Sequence, residues 1–356
     1  MVGTLDDATR HGAHSGFEIA HLLPALVQLS VGQRDGLALL FSDASATRMH
    51  AALRALAGEV PHCRLWWNDA AEVLTLSGGR PEAIAGLHIT FFPETYAALT
   101  ARGYTAAYVP YLFTRPRETA AAPLQKCIFY AAEIDISDSC FAATELAGDR
   151  LRAVSDRCWE LANAITEGRM SSIEADGLLG EQLGEDASEH STHRMAMWAV
   201  RNRLRYLLVK AVTETFGSHL QLFHRGWRDL GFRADPGRIT VRQCIDHYAT
   251  ARVSLDVGGK SSHASLYPRV ADVLSVAGGL VQFLPRGDPE EGTPVLPQRQ
   301  ARTAQELLTL IDRLLTAPAE RVLDENAEMF ARYRGARLDA GAALIEAITT
   351  YCATRS

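Results

Sequence analysis

The chain reads as an α/β protein of two domains, each a parallel sheet with helical crossovers, the N-terminal one small. Three observations predict this. From residue 37 onward, short apolar runs alternate with amphipathic stretches, which is the signature of strands joined by right-handed helical connections. The alternation is broken by a Pro-, Ala- and charge-rich stretch at 114–123, TRPRETAAAP, which reads as a linker. The length, 356 residues, accommodates two domains of ordinary size. The N-terminal domain is placed at 1–118, the second at 124–335, and a terminal helix at 336–356.

Residues 1–14 carry no apolar core, so they read as a loose terminus and not as a signal peptide. Residues 17–29 (FEIAHLLPALVQL) favour a helix despite Pro24. Residues 37–41 (LALLF) form the first strand, closed by Ser42-Asp43-Ala44-Ser45, a turn rich in N-cap residues. A helix follows at 48–56 with Met49, Leu53 and Leu56 on one side. Strands are expected at 63–67, 87–92 (LHITFF) and 106–112 (AAYVPYL), with a helix at 93–102 capped by Gly103.

The second domain opens with a strand at 127–131 (CIFYA) and a helix at 150–165. Residues 171–193 are polar, acidic and glycine-bearing and read as a mobile insertion. A long helix at 194–215 presents Met197, Val200, Leu204 and Leu208 on one face, and a strand follows at 220–224. Residues 247–285 then give helix end, strand, polar loop, helix and strand. Val253, Leu255 and Val257 alternate, and Val270, Val273 and Leu274 recur at helical spacing. Ala277-Gly278-Gly279 ends that helix in the manner of a C-terminal glycine. Helices at 303–315, 317–334 and 338–353 complete the chain.

Composition bounds the function. Apolar residues make up 47%, enough for a sizeable core. The net charge of −6 argues against non-specific binding to nucleic acid or anionic membrane. The six cysteines (Cys63, Cys127, Cys140, Cys158, Cys244 and Cys352) are scattered without a CxxC pair, as in a reduced, cytoplasmic protein. No apolar run reaches the roughly 18 residues of a membrane span.

In two-domain α/β proteins the ligand lies in a cleft at the carboxyl ends of the strands. The strand–loop–helix at 253–276 supplies Lys260, Ser262 and His263 before Tyr267 opens the helix, a set of donors suited to phosphate. Arg269 sits in the first helical turn, where a cation is unfavourable unless an anion is present. Asp272 shares its face. After the 220–224 strand, Arg225 can grip a diphosphate bidentately, and Gly226 and Trp227 follow it. The plainer readings are a solvated loop lysine, a surface Arg–Asp pair and an ordinary turn.

A catalytic carboxylate is sought in the first domain. Asp69, beside Trp66 and Trp67, is preferred as a general base, because the indoles lower the local polarity and offer a platform for a sugar. Asp43 is the second candidate and Glu94 the third. Asn68-Asp69 also suits a turn, and FSDAS a helix cap. No Asp-x-Asp occurs, and the spacing of Asp135 and Asp138 sets them on opposite faces of a strand. His190 and His193, spaced i, i+3 beside Glu189, read as part of a solvated segment. No metal is expected, and no cofactor.

Tyr248, Ala251, Arg269, Asp272 and Ala277-Gly278-Gly279 together resemble the donor half of GT-B glycosyltransferases, in particular the spore-maturation (CgeB-like) branch of the group 1 enzymes. The likeness covers most of 125–330, and His224-Arg225-Gly226-Trp227 fits it. It departs at Asp272, where many such enzymes carry Glu to hold the donor ribose. The resemblance implies two Rossmann-like domains facing a cleft, with 336–356 returning to the first. It also implies metal-independent transfer of a sugar from a nucleotide-sugar to a glycan, protein or small-molecule acceptor. The donor-binding set is then Arg225, Gly226, Trp227, Lys260, Ser262, His263, Tyr267, Arg269, Asp272 and Gly278. A sugar-nucleotide epimerase of the same fold and a non-catalytic binding subunit are the alternatives.

Overall fold

The computed structural model describes residues 38–41, 62–66, 86–90, 93–109, 123–183, 187–224, 226–235, 237, 239–257, 268–285 and 294–353. The chain divides into two units. One comprises Met1–Arg115, Ala264–Ala271 and Tyr333–Ser356; the other comprises Pro116–His263 and Asp272–Arg332. The helices expected at 17–29 and 48–56, and residues 114–122 of the expected linker, lie outside the described residues.

In the first unit β1 (Ala38–Phe41), β2 (His62–Trp66), β3 (Leu87–Thr90) and β4 (Ala106–Tyr108) form a wholly parallel sheet in sequential order. Every residue of β3 is buried, including His88 and Thr90, as befits a parallel strand covered on both faces. The His88 ring meets the edge of Tyr104 at 5.1 Å. Helix α1 (Pro93–Ala101) starts at a proline, whose missing N–H costs nothing in a first turn. It stops at Gly103, whose φ of +79° suits the expected glycine cap.

The second unit has the parallel sheet β6-β5-β7-β8-β9, built from β5 (Gln125–Ala131), β6 (Leu220–Phe223), β7 (Ala251–Asp256), β8 (Leu280–Phe283) and β9 (Gln300–Ala301). Helices α2 (Gly148–Thr166), α3 (Ser172–Leu183) and α4 (Ala187–Phe216) separate β5 from β6. Helix α5 (Val241–Thr250) precedes β7 and α6 (Pro268–Leu274) precedes β8. Helices α7 (Ala304–Thr316) and α8 (Ala319–Ala353) end the chain.

Alternation along the strands makes two layers. Ile128, Tyr130, Val253, Leu255, Val281 and Phe283 share one core with Cys158 and Leu161 of α2, Val200 and Leu208 of α4, and Ile311 of α7. Each such aliphatic residue contributes about 1.5–3 kcal/mol on burial. On the opposite face Phe129 stacks on His247 of α5 at 4.6 Å and meets the edge of Tyr248 at 5.1 Å. Burial there pushes the His247 imidazole below its ordinary value, which favours the neutral ring that stacks. Arg252, on this face of β7, reaches the end of α7 and donates to the carbonyls of Leu315 (3.0 Å) and Ala317 (2.7 Å), a favourable place for a cation.

Three expectations are corrected. The described part of 171–193 is not a loose insertion, because α3 occupies 172–183 and the start of α4 occupies 187–193. Ser171 and Glu174 form a reciprocal cap, with bonds of 3.0 and 2.7 Å, and Ala175, Leu179 and Leu183 bury one face at intervals of four. Second, the two terminal helices are a single α8 of 35 residues. Gly335 has open space around it, and the roughly 1 kcal/mol a glycine costs a helix cannot break one this long. Third, Ala277, not a glycine, takes the left-handed position after α6, at φ +52°. Gly278 N–H donates to the Val273 carbonyl at 2.9 Å. Ala277→Gly is therefore expected to stabilise the protein by about 0.5–1 kcal/mol, with the relief of backbone strain outweighing the extra freedom of the unfolded chain. Thermal denaturation measures it.

His193 of α4 lies 3.2 Å from the Asp176 carboxylate of α3. The hydrogen bond to Asp176 raises the imidazole above its ordinary value, against the opposing effect of burial. A raised folded value means that this stabilisation is full below about pH 6.5 and is lost as pH rises through the folded value. The melting temperatures of His193→Gln and the parent chain should differ at about pH 5.5 and converge by about pH 8.5. A constant difference would discard the charge contribution.

Candidate ligand site at the carboxyl edge of the second sheet

Within the second unit the chain enters at β5, steps outward to β6, and then crosses back to β7, β8 and β9. In its own sequence order the sheet runs 2-1-3-4-5, so the winding reverses between β5 and β7. Connections leaving adjacent strands there diverge, opening a crevice beyond their carboxyl ends where doubly wound sheets take ligands. The described strands of the first unit run in sequential order and show no such reversal.

The strand ends at this edge are tied down from the core side. The Tyr130 hydroxyl donates to the Val257 carbonyl at 3.1 Å, the Trp227 indole N–H to Ala132 at 2.7 Å, and Arg205 to Glu133 at 2.7 Å. Each bond satisfies a carbonyl that has left the sheet ladder. Beyond β5, Asp135 accepts from the Ser137 backbone (2.9 Å), the Ser137 hydroxyl (2.6 Å) and the Ser139 hydroxyl (2.8 Å). Burial works against its ionisation, but these bonds outweigh it and hold the carboxyl below its usual range. Asp138 serves another purpose. It accepts from Ser155 and from Arg203, which is 1% exposed and lies over the Trp159 ring at 5.1 Å. Asp135 and Asp138 thus lie beyond the end of β5, in a loop and a 3₁₀ turn, not on a strand, and they engage different partners. Among the described residues no group of His, Cys, Asp and Glu side chains is arranged to hold a metal.

The structure treats the expected residues differently. Asp69, Asp43, Arg225, Lys260, Ser262, His263 and Tyr267 lie outside the described residues, as does the side chain of Glu94. Arg269 and Asp272 are half-buried on α6. Trp227 is 0% exposed, and its ring packs edge-on against Tyr130 at 6.1 Å and Phe232 at 5.2 Å. It is part of the core that supports the edge. Gly226 permits a close approach, but to the protein itself: a Cβ there would lie 2.0 Å from the Ile134 carbonyl oxygen. Gly278 likewise fits against the Tyr248 carbonyl, 2.7 Å from where its Cβ would be.

One residue that the sequence reading did not single out stands at the reversal point. Asp256 ends β7 and is 4% exposed. Its register partner Gln282 donates to it at 3.4 Å, and Gln300, in register with Gln282, donates to Gln282 at 3.4 Å. The signal was present as polar residues within the strand runs SLDV, LVQF and RQAR, the first two otherwise largely apolar.

No protein-family model matches the chain, and no curated protein matches it. The solved structures to which it is similar include three trehalose-phosphate synthases. The UDP-forming enzyme of Burkholderia xenovorans has 10% identity and a TM-score of 0.45, over 93% of this chain and 78% of that one. The UDP-forming enzyme of Burkholderia vietnamiensis has 10% and 0.44, over 92% and 77%. That of Burkholderia multivorans has 13% and 0.40, over 95% and 77%. With every score below 0.5, these likenesses assign neither fold family nor activity to this chain. The described residues form an α/β protein with two parallel sheets, and none of the described helices is long and apolar enough to cross a membrane.

Proposed function

We propose that the protein is a cytoplasmic glycosyltransferase of GT-B type that moves a sugar from a nucleotide-sugar to a glycan, protein or small-molecule acceptor without a metal ion. The observation that carries this reading is the winding reversal between β5 and β7. The segment 260–267, rich in donors, follows β7 in the chain. Backbone N–H groups and cations at such a place suit a diphosphate. In this reading Lys260, Arg225 and Arg269 neutralise the departing nucleoside diphosphate, the task that a metal performs elsewhere. Asp272 holds a ribose hydroxyl, and Asp69 takes the proton from the acceptor hydroxyl as it attacks the anomeric carbon.

The test is a thermal-shift screen across UDP-, GDP-, CMP- and dTDP-sugars. A true donor at about 100 times its Kd should add about 2.7 kcal/mol of stability. Arg269→Ala should weaken that shift. Asp69→Ala should keep it and abolish transfer. If no nucleotide-sugar stabilises the protein, the enzyme reading fails. If one is isomerised in the absence of any acceptor, the activity is epimerisation.

A further inference from the structure

Strands buried on both faces of a parallel sheet normally carry near-continuous apolar runs. The outward face of β7 departs from that rule at Arg252, Ser254 and Asp256, and at Asp256 the departure continues onto the two neighbouring strands. Asp256, Gln282 and Gln300 pair in register across β7, β8 and β9 on the face opposite Val281, Phe283 and Ala301 of the main core. They line the carboxyl edge, and Asp256 is the end nearest the winding reversal. Each glutamine donates towards the carboxylate, Gln300 to Gln282 and Gln282 to Asp256, both at 3.4 Å. Departures from local sequence rules concentrate at functional sites, and here the departure runs in a line from the place where a doubly wound sheet takes its ligand.

We infer that this row reads the hydroxyl groups of the bound donor's sugar, with Asp256 as the specificity-determining acceptor and Gln282 as the positioning residue behind it. The inference rests on the nucleotide-sugar reading. The chemistry selects the sugar end over the phosphate end. The row is built of a carboxylate and two amides, groups that pair with the hydroxyls of a neutral polyol.

The test measures binding of UDP-glucose, GDP-mannose and dTDP-glucose to the full chain by calorimetry, each beside UDP, GDP or dTDP. The parent chain should bind one nucleotide-sugar more tightly than its nucleoside diphosphate. Asp256→Asn should raise the Kd of that nucleotide-sugar about tenfold or more, the scale of one lost bond to a charged group, and leave the diphosphate within about twofold. Gln282→Met, close in volume, should act in the same direction and serves if Asp256→Asn does not fold. Equal weakening of both ligands would mean a purely structural row and overturn the inference. So would variants that bind like the parent, or a parent chain that binds both ligands equally. Binding of none of the six by the parent chain would remove the glycosyltransferase reading together with the row, which distinguishes that failure from the others.

Discussion

Gly226→Ala is expected to lower the unfolding free energy by about 3–5 kcal/mol. Two independent penalties meet there. The backbone sits at φ +88°, and the added Cβ would lie 2.0 Å from the Ile134 carbonyl oxygen and 2.9 Å from the Ile134 side chain. The first penalty is that of the left-handed region for an L residue. The second requires backbone to move, because the obstructing atom is not the tip of a flexible side chain. Movement is resisted, because Trp227 next door is wholly buried and its indole N–H is bonded to Ala132. Urea titration reads the loss as a lower midpoint at unchanged slope. A change under about 1 kcal/mol would show that the turn can shift without resistance. Ala277→Gly is the matched control, since it removes a side chain from the same backbone region and should move stability the other way.

The second large effect is expected at Glu325. Its carboxylate receives Arg299 at 2.7 Å and Arg313 at 3.1 Å. Arg299 is 0% exposed and also donates to Asn326 at 2.9 Å. Burial pushes the Arg299 guanidinium down to about 10 against the pull of Glu325. Burial also works against ionisation of Glu325, but the two arginines outweigh it and hold its carboxyl below the usual range. Glu325→Ala leaves a buried guanidinium without its counter-charge and should cost about 3–5 kcal/mol. The double variant Arg299→Met, Glu325→Ala should recover much of that, because the stranded charge is gone. If the double variant is as unstable as the sum of the single ones, the coupling is absent. The sign in pH follows from the depressed carboxyl. Its contribution is present above the unfolded carboxylate value and is lost as pH falls through the folded one.

Much of the fold was legible because the period of the apolar residues is a local property. The runs LALLF, CIFYA and ARVSLDV became strands at nearly the places they occupy in sequence. Legibility failed where a local signal competed with a weaker compositional one. The Ser171–Glu174 cap and the Ala175–Leu179–Leu183 stripe were both written in a segment whose acidity and glycines suggested a loop. The break expected between 334 and 338 is absent because a glycine's effect depends on how much helix lies on either side of it. The strand order was not legible at all, since which strand lies beside β5 is decided by long-range pairing. The site suffered most from this. Without the order there is no reversal point, and without that point Asp256 is one acid among many. Glycines are ambiguous for a related reason, because sequence can show that backbone approaches something closely but not whether that something is a ligand or Ile134.

The three side chains that hold the strand-end carbonyls bear on the thermodynamics of association. A binding edge free to sample many arrangements must lose that freedom when a ligand arrives, and the loss is subtracted from affinity. Here Tyr130, Trp227 and Arg205 have already removed it during folding. A ligand contact made along Ala132, Glu133 and Val257 would therefore carry little ordering penalty from the protein.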